Sequence, residues 1–259
     1  MASSARVIAF GETNVGMKRS HNEDSFDIIE EEKLYLVADG MGGHASGEVA
    51  SKLAVDTIRE FYLATAKDPE ATGPYKMDKS KGYEENRLIT SIKLANRRIY
   101  QEQQRDARYR NMGTTMAALQ VIDEGVLIAH VGDSRVYRIR GGQIEQLTED
   151  HSLLNDYLKM RKLTEEEIAN FPHKNVIVRA LGMREDVKVD TRIDIPHMGD
   201  LYLLCSDGLS GPVSDKEICE IAQESLDLKV VASRLIERAN ANGGPDNITV
   251  VLVKWMGKG

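Results

Sequence analysis

The chain has 259 residues, 41% of them hydrophobic and 29% charged, with a formal net charge of −7. Such a length and apolar content suit a single β-rich domain spanning 1–259 with an ample core. The acidic balance argues against nucleic acid or an anionic membrane as a bulk electrostatic partner. No stretch approaches the ~18 apolar residues of a membrane span, and Val7–Phe10 is too short for a signal h-region. The only cysteines, Cys205 and Cys219, sit in apolar surroundings with no pairing motif, so a cytoplasmic chain with reduced, buried thiols is expected.

Arg6 to Phe10 reads as a short first strand closed by Gly11 and a polar turn. Lys18-Arg19-Ser20-His21-Asn22-Glu23-Asp24-Ser25-Phe26 then sets a basic pair just ahead of an acidic pair. One segment thus offers an anion clamp and cation-facing acids. The apolar run Leu34-Tyr35-Leu36-Val37-Ala38 ends in Asp39, followed at once by Gly40-Met41-Gly42-Gly43. Such a run predicts a buried strand that delivers a carboxylate beside a tight turn. Ser46 is placed to cap a helix with Val49, Leu53, Ala54, Ile58 and Phe61 at 3.6-residue spacing. Residues 67–83, with Pro69 and Pro74, read as a loop, and Glu84 to Gln104 as a charged helix packed through Leu88, Ile92, Ala95 and Ile99. Thr114–Ile122 and Val126–Val131 form a strand pair around Asp123-Glu124-Gly125. Arg135–Ile139 and Gln143–Leu147 form another around Gly141-Gly142.

Residues 148–182 change character. Ser152–Met160 and Thr164–Phe171 are short amphipathic pieces ending at Pro172, which predicts a helical flap, with Asp150 and His151 at its border where substrate could be touched. Val187, Val189, Thr191, Ile193 and Ile195 alternate with polar residues as a half-buried strand. Leu201–Cys205 reads as a buried strand, and Ser214 with Glu217 as a capping box opening a helix through Ala222. A last helix is expected over about 227–241 and a terminal strand over Asn247–Trp255. Hairpin-linked strands outnumber helices, and the helices fall in two pairs. Two antiparallel sheets with helices outside them bury every apolar face, giving an α+β fold.

Three apolar strands end in an acid beside small residues, at Asp39, Asp133 and Asp207, and Asp246 opens a fourth strand. A single Asp-Gly is an ordinary turn, but this repetition favours convergence of the acids. Oxygen donors with no His or Cys at ligand spacing select Mg²⁺ or Mn²⁺ over structural Zn²⁺. Clustered carboxylates also need cations to cancel their repulsion.

Six motifs occur in order: Arg19-x-x-Asn22-Glu23-Asp24, Asp39-Gly40-Met41-Gly42-Gly43, Gly113-Thr114-Thr115, Val131-Gly132-Asp133-Ser134-Arg135, Ser206-Asp207-Gly208-Leu209 and Asp246-Asn247-Ile248-Thr249. Together they resemble the metal-dependent protein serine/threonine phosphatases of type 2C, the PPM family, in their bacterial form. The resemblance implies a four-layer α-β-β-α sandwich and hydrolysis of phosphoserine and phosphothreonine by a metal-activated bridging hydroxide, without a covalent intermediate. It further implies that Asp39 bridges two Mn²⁺ or Mg²⁺ ions with the Gly40 carbonyl on one of them. Asp207 and Asp246 complete the other shell, Asp24 with Glu23 holds bound waters, Asp133 serves a third ion, and Arg19 binds phosphate. Phosphorylated proteins, Ser/Thr kinases among them, are the implied partners of a monomer. Where many eukaryotic relatives carry histidine this chain has Met41, so the general acid does not carry over; His44 is a candidate.

Neither cysteine is followed by arginine six positions on, which excludes a cysteine-based phosphatase, and no Gly-x-Ser-x-Gly elbow is present. The rival from another class is a metal-binding pseudophosphatase that binds phosphoproteins as a regulatory module. Such proteins lose a core acid or the arginine, whereas Arg19, Asp39, Asp207 and Asp246 are all present. A small-molecule phosphatase is a further alternative.

Overall fold

The computed structural model describes residues 5–42, 46–67, 75–161, 163–169, 171–172 and 176–258. Its elements in chain order are β1 (Ala5–Asn14), β2 (Asp24–Ile29), β3 (Leu34–Met41), α1 (Ser46–Lys67), α2 (Tyr83–Arg105), β4 (Gly113–Thr114), β5 (Met116–Ile122), β6 (Gly125–Val131), β7 (Arg135–Arg140) and β8 (Gln143–Gln146). There follow α3 (Leu153–Met160), α4 (Glu165–Ala169), β9 (Asp190–Asp194), β10 (Leu201–Cys205), α5 (Asp207–Ser210), α6 (Asp215–Gln223), α7 (Leu228–Ala241) and β11 (Ile248–Lys258). One sheet runs β1-β11-β10-β7-β8 and the other β2-β3-β5-β6-β9, with β4 on β3. Every ladder is antiparallel.

Side-chain alternation along each strand builds the layers, because successive residues face opposite sides of a sheet. On β3, Leu34, Leu36 and Ala38 meet Ala54, Ile58, Leu88 and Ile92 of the α1–α2 pair. Tyr35 and Val37 face the other way, into a layer shared with Ala117, Ile128, Tyr202, Val251 and Trp255. On β10 and β11, Leu203, Cys205, Val250 and Leu252 pack beneath α6 and α7, against Val231 and Leu235. Three apolar layers between four structural layers make the α-β-β-α sandwich. Leu203 is fully buried, so Leu203→Ala is expected to cost about 2–5 kcal/mol. Trp255, the only tryptophan and itself in the inter-sheet layer, reports the lowered denaturant midpoint by its emission.

Four stretches depart from the sequence expectation. Strand β1 runs through Gly11 to Asn14, because the ladder to β11 continues to Asn14–Ile248; a Cβ on Gly11 would lie 2.5 Å from the Phe26 ring. The strand expected from Thr114 is broken at Thr115, whose side chain and backbone turn to Asp39. Strand β9 is shorter than the alternation suggested. Val187 and Val189 pack under the α1–α2 layer, but Ile193 and Ile195 are exposed, since that layer ends where Lys81 and Glu85 meet Thr191. Finally, the acid after β10 opens a one-turn helix, α5, with no counterpart in the expected elements. The capping box at Ser214 forms as expected, and Asp227 caps α7 by accepting from the Lys229 N–H.

Candidate active site

Period-2 alternation carries Asp39, two residues past Val37, onto the inter-sheet face at the end of β3. The β2–β3 register sets Asp24 directly opposite. On the facing sheet, Cys205 pairs with Val250, so Ser206 and Thr249 extend that pair and place Asp207 and Asp246 just beyond it. Asp133 follows Gly132 at the same end of β6. Acids separated by up to 222 positions (24 to 246) therefore share one rim of the sandwich, and their mutual electrostatics show how closely.

The Asp39 carboxyl is held well above the usual carboxylate range, by burial first and then by repulsion from Asp24, Asp207, Asp133 and Asp246. Burial also pushes Asp24 up to about 7, only partly offset by hydrogen bonds from Thr249 and Ser206, with Asp207 and Asp246 adding repulsion. Asp133 rises to about 7 through burial and the charges of Asp207 and Asp150. Burial and Asp246 raise Asp207, opposed by a hydrogen bond with the Asp39 carboxyl and by Arg19 and Arg135. Glu23 is raised by burial, against the pull of the Gly47 N–H and Arg19.

The scaffold around these acids is specific. Asp24 Oδ2 accepts from Ser206 Oγ at 2.8 Å and Thr249 Oγ1 at 2.7 Å. The Asp39 N–H donates to Thr115 Oγ1, and the Asp39 carbonyl accepts from the Thr115 N–H and the Thr114 hydroxyl, each at 2.9 Å. Gly40 admits no side chain, since a Cβ there would sit 2.1 Å from the Gly47 carbonyl oxygen and 2.4 Å from that of Glu23. Arg19, on the β1–β2 loop, pairs with Asp246 at 2.6 Å and stays half exposed. Met41 carries no proton to donate, and His44 lies outside the described residues.

Two buried carboxylate oxygens, Asp24 Oδ1 and Asp133 Oδ1, have no hydrogen-bond partner among the described residues. A buried acceptor without a donor is costly, and here both oxygens belong to a group of acids that repel one another. Hard oxygen donors, unsatisfied and mutually destabilised, fit divalent cations of the Mg²⁺ or Mn²⁺ type.

A second group with metal-type donors, His130, His151 and Asp190, has its ligand atoms within 4.8 Å of one another. A guanidinium already neutralises this group: Arg179 Nη1 donates to Asp190 Oδ2 at 2.8 Å and lies 2.9 Å from His151 Nε2. His151 is buried and Asp150 is locked to Arg135, so neither faces substrate as the sequence suggested. The packing of the flap's first turn onto β6 and β7 turns both inward.

The sequence reading gave no role to Asn247. Its side chain accepts the Glu23 N–H at 2.8 Å and donates to the Val15 and His21 carbonyls at 2.9 Å, tying the loop that carries Arg19 to the acid at 246. Its place beside Asp246 in a motif was the available signal. Asn247→Ala leaves three partly buried backbone groups without their side-chain partner; a loss of about 1–2 kcal/mol and a raised KM for phosphopeptide are expected, read by thermal melting and steady-state kinetics.

The family description "Protein phosphatase 2C" matches residues 17–256. The protein phosphatase PhpP of Streptococcus pneumoniae is 37% identical over 244 residues, covering 93% of this chain and 94% of its own. The chain belongs to the protein phosphatase 2C family. It is accordingly a protein serine/threonine phosphatase, and solved structures agree. Stp1 from Staphylococcus aureus superposes on this phosphatase with a TM-score of 0.85 at 33% identity, over 98% of this chain and 97% of that one. The catalytic domain of PstP, solved in complex with 2 manganese ions, gives a TM-score of 0.77 at 33% identity, over 96% and 98%.

Proposed function

We propose that this phosphatase hydrolyses phosphoserine and phosphothreonine in proteins at a binuclear Mn²⁺ or Mg²⁺ centre held by Asp39, the Gly40 carbonyl, Asp207 and Asp246. The observation that carries this reading is the convergence of five aspartates at one rim, two of them with a buried, unpartnered oxygen. The catalytic domain of PstP, matched over 98% of its solved chain, is in complex with two manganese ions. When bound, such ions supply the positive charge that lets the carboxylates ionise together and that acidifies a water for in-line attack on phosphorus.

The chain's own residues do the rest. Asp39, repelled by all four other aspartates, would hold both ions. Asp24 and Glu23 orient water, and Asp133 serves a third, weaker site. Arg19 offers two parallel N–H groups to phosphate oxygens, a planar and permanently charged clamp, and its exposure leaves it free to turn from Asp246 to substrate. His44 is the candidate proton donor to the leaving alkoxide. All the core acids and Arg19 are in place, which disfavours a pseudophosphatase. Phosphorylated proteins, kinases among them, are the substrates we infer, acted on by a cytoplasmic monomer. No described helix is long and apolar enough to cross a membrane. Phosphate release from a phosphothreonine peptide tests the reading: turnover with Mn²⁺ or Mg²⁺ and none with chelator is expected, and turnover that persists in chelator overturns it.

A further inference from the structure

The histidine that opens the flap has every polar group engaged, and two of its bonds go to one residue. The Gly132 N–H donates to His151 Nδ1 at 3.0 Å, and the His151 N–H donates back to the Gly132 carbonyl at 2.9 Å. The His151 carbonyl accepts from the Val178 N–H on the returning arm of the flap. Because Nδ1 is an acceptor, Nε2 carries the ring proton and gives it to Asp190 Oδ2 at 2.9 Å. Asp190 is fixed in turn by Arg179 and Lys188. The His130 ring stacks on His151 with centroids 4.7 Å apart.

Gly132 sits at φ +106°, where a side chain is strained, and a Cβ would lie 2.7 Å from Thr115. The next residue is Asp133. We propose that His151 is a positioning residue: by holding both polar groups of Gly132 it fixes the Asp133 carboxylate in the acid cluster and ties its placement to the seating of the flap. This rests on the reading above, in which Asp133 holds a divalent cation. At its other end the flap is pinned by Leu181 on Thr114, whose hydroxyl donates to the Asp39 carbonyl. Both feet of the flap thus stand beside acids of the centre.

The test uses two substitutions that divide the imidazole's work. His151→Asn places an amide oxygen where Nδ1 stood and keeps an acceptor for the Gly132 N–H. His151→Gln places an amide nitrogen near Nε2, keeping the bond to Asp190 and giving up the acceptor. Mn²⁺ is titrated calorimetrically into the full chain, alongside wild type and Asp133→Asn. Positioning predicts that Asn stays near wild type, whereas Gln weakens the weakest class of sites about ten- to a hundredfold and leaves the tight pair unchanged. In the Asp133→Asn background, Gln should weaken nothing further. Equal isotherms for the two variants, or a Gln effect that persists without the Asp133 charge, overturn the proposal. If Asp133→Asn itself leaves the isotherm unchanged, the cation reading of Asp133 has failed and the proposal falls with it. A measurement on unaltered protein covers the case of variants that do not fold. The Gly132 amide and His151 ring resonances should shift together over the weak-site range of a Mg²⁺ titration, and stationary signals there while the Asp133 amide moves would refute the clasp.

Discussion

Asp39→Asn is expected to cut phosphate release from a phosphothreonine peptide by at least about a thousandfold while raising the melting temperature of the chelated protein by several degrees. The two effects have one cause. Asp39 stands among four other carboxylates and is repelled by all of them, in a site whose burial already disfavours its charge. With no cation present, an amide of the same shape removes that charge, and its N–H can donate to the Asp207 carboxylate that now hydrogen-bonds the acid. The backbone clamp from Thr114 and Thr115 is untouched, because it grips only main-chain atoms. With cations present, on the proposed two-ion reading, the variant would lack the anionic ligand shared between them, and the charge that acidifies water would be held less well. Stability and activity moving in opposite directions mark a site built against the fold's own preference. Loss of both together in calorimetry and turnover assays would instead assign Asp39 a structural role.

That opposition also explains what could be read from the chain and what could not. Leu34 to Ala38 spells a strand buried on both faces, and the same alternation that fills two cores aims Asp39 at the rim between the sheets. Fold and principal acids were therefore legible together, since one pattern of residues determines both. Local signals also sufficed at Ser214–Glu217, where the capping box is complete within four residues. Pairing across the chain was not legible. Nothing near Gly11 indicates that a partner strand 240 residues on extends the ladder to Asn14–Ile248. Ile193 and Ile195 alternate as though covered, but the helix layer that would cover them stops short. His151 looked like a flap residue facing substrate because its partners, Gly132, Val178 and Asp190, lie on three segments that only the folded chain brings together.

Removing the cations should destabilise the protein more at high pH than at low pH. In the chelated protein the folded state holds Asp24 and Asp133 protonated up to about pH 7, whereas an unfolded chain releases such protons near 3.8. Between those values the folded state binds more protons than the unfolded one, so its stability falls as pH rises, and the fall is complete above about pH 7. Asp24 alone accounts for ~4 kcal/mol across that window at 1.36 kcal/mol per pH unit. His151 runs the other way: burial, then the charges of His130 and Arg179, push it down to about 4, so stability is lost as pH falls from 6.5 toward that value. That histidine contribution lies below pH 6.5, so the change in the gap between loaded and chelated protein above that pH isolates the acids. In loaded protein the cations take the place of the protons, and the acid-driven fall disappears. The gap in melting temperature between saturating Mn²⁺ and chelator should therefore widen by on the order of 10 °C from pH 5.5 to 8, at ~2–4 °C per kcal/mol for a domain of this size. A gap that is flat or narrows over that range would mean that the rim acids do not carry the linked protons, and that the cations bind elsewhere.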